Sequence, residues 1–226
     1  MRPCISLGVG FLIASALGCG SAGETNGGGT AAGSVECHPD PPVTISSIVS
    51  FTPGDGAGFG HDRFPEIVYG EPRGGGVHEG STDVLSLGTG GEIVVGFGAD
   101  AIVDGDGVDF IVFENPFYIA NKESMPYEEL AEVAVTQDGT NWTSFPCKTD
   151  AYPYDGCAGW KAVFPSDTTT CPFDPDSLGG DRFDLADVGV AEAKFVRIRD
   201  LASRAGEAPT AGFDLDAIVV THPEKR

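Results

Sequence analysis

Three carboxylates lie on a glycine-rich run, Asp104-Gly-Asp106-Gly-Val-Asp109, which leads into Phe110-Ile-Val-Phe113, a fourth acid, Glu114, and Asn115. Clustered acids repel one another unless solvent or a cation screens them, and hard oxygen donors at this spacing suit calcium. Side chains alternate along a strand, so Asp109, Ile111, Phe113 and Asn115 share one face, and Phe110, Val112 and Glu114 the other. Glu114 then shares its face with apolar side chains and needs a partner or a raised pKa. Near the C-terminus, Asp214 and Asp216 also alternate onto one face. Two such acidic strands lying close require a cation or an arginine between them. Arg197 and Arg199, on the preceding strand, are the rival partners. The expected ligands of a structural calcium are Asp104, Asp106 and Asp109, with Asp214 or Asp216 reaching in from the closing strand.

Other chemistries find less support. The Asp104 run resembles the start of an EF-hand loop, but position twelve is Asn115 rather than a bidentate acid, and no helical pattern precedes it. Gly179-Gly-Asp181-Arg-Phe-Asp184 reads as a second acidic loop or a solvated turn. There is no Gly-x-Ser-x-Gly elbow, His-Glu-x-x-His pair or phosphate-cradling loop. The histidines, His38, His61, His78 and His222, are scattered. Paired carboxylates could serve glycoside hydrolysis, but acids are too abundant here for that signal to select a pair. Tyr152, Tyr154 and Trp160 crowd one loop and could stack on the apolar face of a sugar, or could cover the end of the fold.

The charge narrows the partners. With 34 acidic residues against 13 basic ones, the chain carries −21, which excludes nucleic acid and anionic membrane surfaces as natural partners. Arg2 followed by an apolar stretch to Leu17 reads as a targeting segment, too short to span a bilayer as a mature helix. It ends Ala16-Leu17-Gly18-Cys19, which resembles a bacterial lipobox with Cys19 as the lipidated residue. The expected organisation is a lipoprotein signal peptide over 1–18, a flexible Gly/Ser-rich tether over 19–36 and one domain over 37–226. Gly20 after the cysteine points to the outer membrane, on its periplasmic or cell-surface face. Export permits disulfides. Four further cysteines allow three pairings; Cys147–Cys157, closing a short loop, and Cys37–Cys171 form the favoured set.

Short β-branched runs between prolines and glycines mark the positioning elements. The expected strands are Val43–Phe51, Val84–Leu87, Glu92–Phe97, Phe110–Phe113, Ala131–Thr136, Phe195–Arg199 and Phe213–Val220. Pro126–Leu130 could form one helical turn. Long loops over Thr52–Gly80 and Cys147–Asp187 complete an all-β sandwich.

Several segments carry a resemblance. Val133-Ala-Val-Thr-Gln-Asp138-Gly139-Thr-Asn-Trp142, Ala193-Lys-Phe195-Val-Arg197-Ile and Gly212-Phe-Asp214-Leu-Asp216-Ala resemble hairpin and strand motifs of galactose-binding-domain-like jelly rolls of the discoidin type. Runs at Phe64–Gly70, Asp83–Gly91, Asp104–Asn115, Gly179–Leu185 and Gly212–Ala217 resemble those of uncharacterised exported bacterial surface proteins. The resemblance implies a jelly-roll β-sandwich at the cell envelope, and no particular chemistry. The function expected from the whole is a non-catalytic, calcium-stabilised binding or adhesion module, with a glycan or another envelope protein as ligand. The alternative is an envelope hydrolase acting on carbohydrate through paired carboxylates.

Overall fold

A computed structural model describes residues 42–164 and 177–224. The signal peptide, the tether, Cys19, Cys37 and Cys171 lie outside the described residues, and with them the Cys37–Cys171 pairing. The described strands are β1 (Val43–Thr44), β2 (Ser47–Thr52), β3 (Leu85–Ser86), β4 (Glu92–Gly96), β5 (Ala101–Val103), β6 (Phe110–Phe113), β7 (Ala131–Thr136), β8 (Thr143–Ser144), β9 (Cys157–Ala158), β10 (Asp181–Phe183), β11 (Glu192–Ala193), β12 (Phe195–Asp200), β13 (Asp214–Leu215), β14 (Ala217–Val220) and β15 (Pro223–Glu224). Four short 3-10 turns accompany them among the described residues, and no helix there is long and apolar enough to cross a membrane.

The architecture is an all-β sandwich of antiparallel sheets. The larger sheet runs β2-β4-β12-β7-β8, with β9 also pairing β7, and the smaller runs β1-β14-β6-β10. Ile93 and Val95 of β4, Val133 and Val135 of β7, and Val196 and Ile198 of β12 form one buried cluster with Phe110 and Val112 of β6 and Ile218 and Val220 of β14. On β12, Val196, Ile198 and Asp200 are buried while Phe195, Arg197 and Arg199 are more open, the alternation of a strand with one wet face. The two central strands of the smaller sheet differ. Phe110-Ile-Val-Phe113 and Ala217-Ile-Val-Val220 are apolar at every position, so both faces must be covered. Ile111, Phe113, Ala217 and Val219 are covered by Val163 and Leu178 from the long loop.

Two expected strands divide. Val43–Phe51 breaks at Ile45–Ser46, where the chain leaves the smaller sheet (β1) for the larger (β2). Phe213–Val220 breaks at Asp216, so that β13 pairs β3 while β14 pairs β6. Pro126–Leu130 is not helical. The N–H groups of Tyr127, Glu129 and Leu130 donate to Phe117 O, Gly159 O and Ser203 Oγ, which draws them away from local helical bonds.

The Asp138-Gly139 turn forms as expected, with Gly139 at φ +76°. Asp138 accepts from the N–H groups of Thr140 and Asn141, each at 2.8 Å. These bonds, with the Asn141 contacts largest, hold its carboxyl well below the usual range. Trp142 packs under the Arg197 guanidinium at 4.8 Å.

Candidate cation and ligand site

Strand β6 carries an acid at each end. Asp109 precedes it and Glu114 follows it, five residues on, or about 16 Å at strand rise. Its antiparallel neighbour β14 pairs Ala217 with Phe113 and Val220 with Phe110. Asp214 and Asp216 therefore arrive at the Glu114 end, and Thr221 and His222 at the Asp109 end. The single constellation expected from the sequence is two clusters, one at each end of β6.

At the first end, one carboxylate oxygen each from Asp104, Asp109 and Asp184 lies within 4.8 Å of the others. Asp109 is fully buried, and its oxygens are already engaged. Oδ1 accepts from Gly105 N–H and contacts His222 Nδ1, both at 2.9 Å, and Oδ2 accepts from Leu185 N–H at 2.7 Å. A Cβ at Gly105 would fall 2.5 Å from His222 Nδ1, so a larger residue there would displace the His222 ring. Asp184 caps a 3-10 turn by accepting from Ala186 N–H at 2.9 Å. Asp104 and Asp106 are exposed. This end is a brace that ties the β5–β6 turn, the start of the Leu185–Val188 turn and the C-terminal strand together. Asp214 and Asp216, expected beside it, are not there, because antiparallel pairing carries them to the opposite end.

The second end is different. One oxygen each from Glu114, Glu129 and Asp214 falls within 4.8 Å of the others, and all three residues are buried. Glu114 is 2 % exposed, Glu129 7 % and Asp214 7 %. Glu114 Oε2 and Asp214 Oδ1 have no hydrogen-bond partner. Burial, then the charges of Asp214 and Glu129, push the Glu114 carboxyl well above its usual range, against backbone hydrogen bonds from Asn115 and Asp214. Burial, then Asp214, pushes Glu129 up to about 8. Burial pushes Asp214 up to about 7. Two unit charges 4.8 Å apart repel by about 3–4 kcal/mol at an effective dielectric near 20. Three such pairs approach the whole stability of a domain, on the order of 5–15 kcal/mol. The three carboxylates therefore cannot all be ionised together without a cation.

A cleft of about 360 Å³ opens on this cluster. Glu129 and Asp214 stand in its wall, along with Phe117, Tyr127, Gly206 and Thr210, while Glu114 is not part of that wall. Phe117 and Tyr127 stack at 5.0 Å with planes 9° apart. Arg204 covers the Tyr127 ring at 4.1 Å and pairs with Glu128 at 2.9 Å.

The remaining residues singled out in the sequence have other partners. Asp216 accepts from Arg73 N–H at 2.7 Å, and burial raises its pKa to about 7. Arg197 and Arg199, the rival partners of Asp214 and Asp216, instead reach Glu132 at 3.4 and 3.3 Å on the outer face of the larger sheet. Strand alternation puts them on the face away from the core. Asp181 is not in a solvated loop but on edge strand β10. It is buried, accepting from Gly159 and Trp160 N–H at 2.7 and 3.2 Å.

Cys147 and Cys157 form the expected disulfide. Tyr152, Tyr154 and Trp160 gather beside it edge-to-face, with centroids 5.6–6.3 Å apart. Trp160 is only 7 % exposed, its Nε1–H donates to Cys157 O at 3.2 Å, and its ring packs with Leu130 and Cys157. It is the centre of a small satellite core and not an open stacking platform; Tyr152 and Tyr154 are half-buried around it.

Glu129 is the member of the buried cluster that sequence reasoning missed. It sits in Tyr-Glu-Glu-Leu with nothing to mark it, and it is buried, with its own N–H donating to Gly159 O. Glu114 did carry a signal, a charge in phase with apolar strand neighbours. Comparison with protein-family models finds no match, and comparison with curated proteins finds none either, so the functional reading rests on this geometry.

Proposed function

We propose that the chain is a non-catalytic binding module of the cell envelope, stabilised by calcium held between Glu114, Glu129 and Asp214. The observation that supports it is the convergence of three buried carboxylates, two with unpartnered oxygens, at the back of a cleft. Carboxylate oxygens are the donors calcium prefers. The kinship with galactose-binding-domain-like jelly rolls and exported surface proteins belongs to the same proposal, as does anchoring to the outer membrane through Cys19. Both rest on the sequence segments named above.

The hydrolase reading is weaker on geometry. Retaining glycosidases hold their two carboxyls about 5–5.5 Å apart and inverting ones about 6.5–9.5 Å. Oxygens within 4.8 Å of one another leave the carboxyl separation compatible with the retaining spacing, and what weighs against a hydrolase is the third buried acid beside any pair.

The test is thermal unfolding of the full chain in millimolar calcium and in excess EGTA. At a hundredfold excess over Kd, a cation bound only to the folded state adds about 2.7 kcal/mol. That is a Tm rise of about 5–10 °C for a domain of this size. Glu129→Gln should remove the calcium response. Equal Tm values for the wild type in calcium and EGTA would sink the proposal.

A further inference from the structure

We propose that the cation is only half enclosed by protein, and that the cleft takes a neutral sugar whose adjacent hydroxyl oxygens complete the cation's shell. This rests on the cation reading above and goes beyond it by assigning the ligand class.

Three observations carry it. The first is sidedness. Glu129 and Asp214 form part of the cleft wall and Glu114 does not, so a cation bound among them faces the cleft. Calcium takes six to eight oxygens. Three carboxylates supply six only if all bind through both oxygens. Glu207, the other acid of the wall, is not among the oxygens that converge with Glu129 and Asp214. Positions on the cleft side are left for a ligand.

The second is charge. A divalent cation leaves the three carboxylates one negative charge in excess, and Glu207 also lines the cleft. An anionic ligand, whether carboxylate or phosphate, would meet net repulsion; a hydroxyl oxygen offers a lone pair without charge. The third is shape. A cleft of about 360 Å³ is at the small end of ligand sites, which run from about 300 to 1,000 Å³. Phe117 and Tyr127 stand in its wall; Phe117 and Arg204 take the two faces of the Tyr127 ring, which leaves the outer face of Phe117 for the C–H groups of a sugar ring.

The experiment uses the full chain and saturation-transfer NMR with the methyl glycosides of galactose, mannose and glucose, and with monodeoxy analogues of whichever binds. Each is measured in calcium and in EGTA, beside the Tm. The expected result is binding of at least one glycoside in calcium, loss in EGTA, and a tenfold or greater loss when either of two adjacent hydroxyls is removed. Ala205→Trp, an exposed substitution on the cleft rim, should abolish glycoside binding while keeping the calcium-induced Tm rise. A Tm rise with no glycoside binding overturns this inference and leaves the cation reading standing. Glycoside binding that persists in EGTA also overturns it. Absence of both effects overturns the two together.

Discussion

Replacing Asp109 by alanine separates a brace from a metal ligand. In the folded chain its two oxygens take the N–H groups of Gly105 and Leu185 and meet the His222 ring. Asp109 itself has no exposed surface. In the alanine variant two backbone donors lose their acceptor; the Leu185 N–H is buried and costs about 1–3 kcal/mol unsatisfied, while the part-buried Gly105 N–H costs less. His222 can turn to water, because 36 % of its side chain is already exposed, and adds little. The expected loss is about 3 kcal/mol, or roughly 6–12 °C in Tm at the 2–4 °C per kcal/mol typical of this size. Asp109→Asn keeps one acceptor oxygen and should lose about half as much. The assay is urea and thermal unfolding followed by circular dichroism, run in calcium and in EGTA. Because the Asp109 oxygens are engaged by protein donors, the difference in Tm between calcium and EGTA should be the same in Asp109→Asn as in the wild type. A loss below about 1 kcal/mol in Asp109→Ala would refute the hydrogen-bond reasoning. Disappearance of the calcium response in a folded Asp109→Asn would return the cation to the Asp104–Asp109 end.

Two further predictions concern Asp181 and the Cys147–Cys157 loop. Asp181 is buried, and burial pushes its carboxyl up to about 7, against hydrogen bonds from Trp160 and Gly159 and the charge of Lys161. A carboxyl raised on folding stabilises the fold while it stays protonated; that contribution is complete below the unfolded pKa near 3.9 and disappears as pH rises towards 7. Asp181→Asn should therefore gain on the wild type between about pH 4 and pH 7, by on the order of 2–4 kcal/mol, in urea unfolding at stepped pH; parallel curves would contradict it. Opening the Cys147–Cys157 loop with paired serines should remove roughly 2–3 kcal/mol, the loop-closure entropy of a sequence separation of 10 residues. A denaturant midpoint unchanged from the oxidised wild type would show that the Trp160 cluster holds that loop unaided.

Much of the fold was legible along the chain because strand patterning is local. Phe110–Phe113 and Ala131–Thr136 appear with the expected bounds, and the Asp138-Gly139 turn follows from glycine's freedom at positive φ. The strands that escaped notice are those of two or three residues, such as β5, β10 and β15, which have too few positions to display a period. Glu114 was legible as a charge in phase with apolar residues. The identity of its neighbours was not, because alternation assigns a residue to a face and says nothing of which end of which strand lies opposite.

The sequence by itself determined the class of the domain, its acidic character and the presence of carboxylates that need neutralising. Those properties follow from composition and from a period of two, both carried within a few residues. Only the tertiary structure decided which carboxylates meet. Antiparallel pairing of β6 with β14 sends Asp214 to Glu114 and His222 to Asp109, and the path of the segment hydrogen-bonded to Gly159 brings Glu129 to them. Register and loop path are set by contacts a hundred residues apart, so the acidic run beginning at Asp104 is a hydrogen-bonded brace, and the unpartnered oxygens of Glu114 and Asp214 lie at the far end of the strand it introduces.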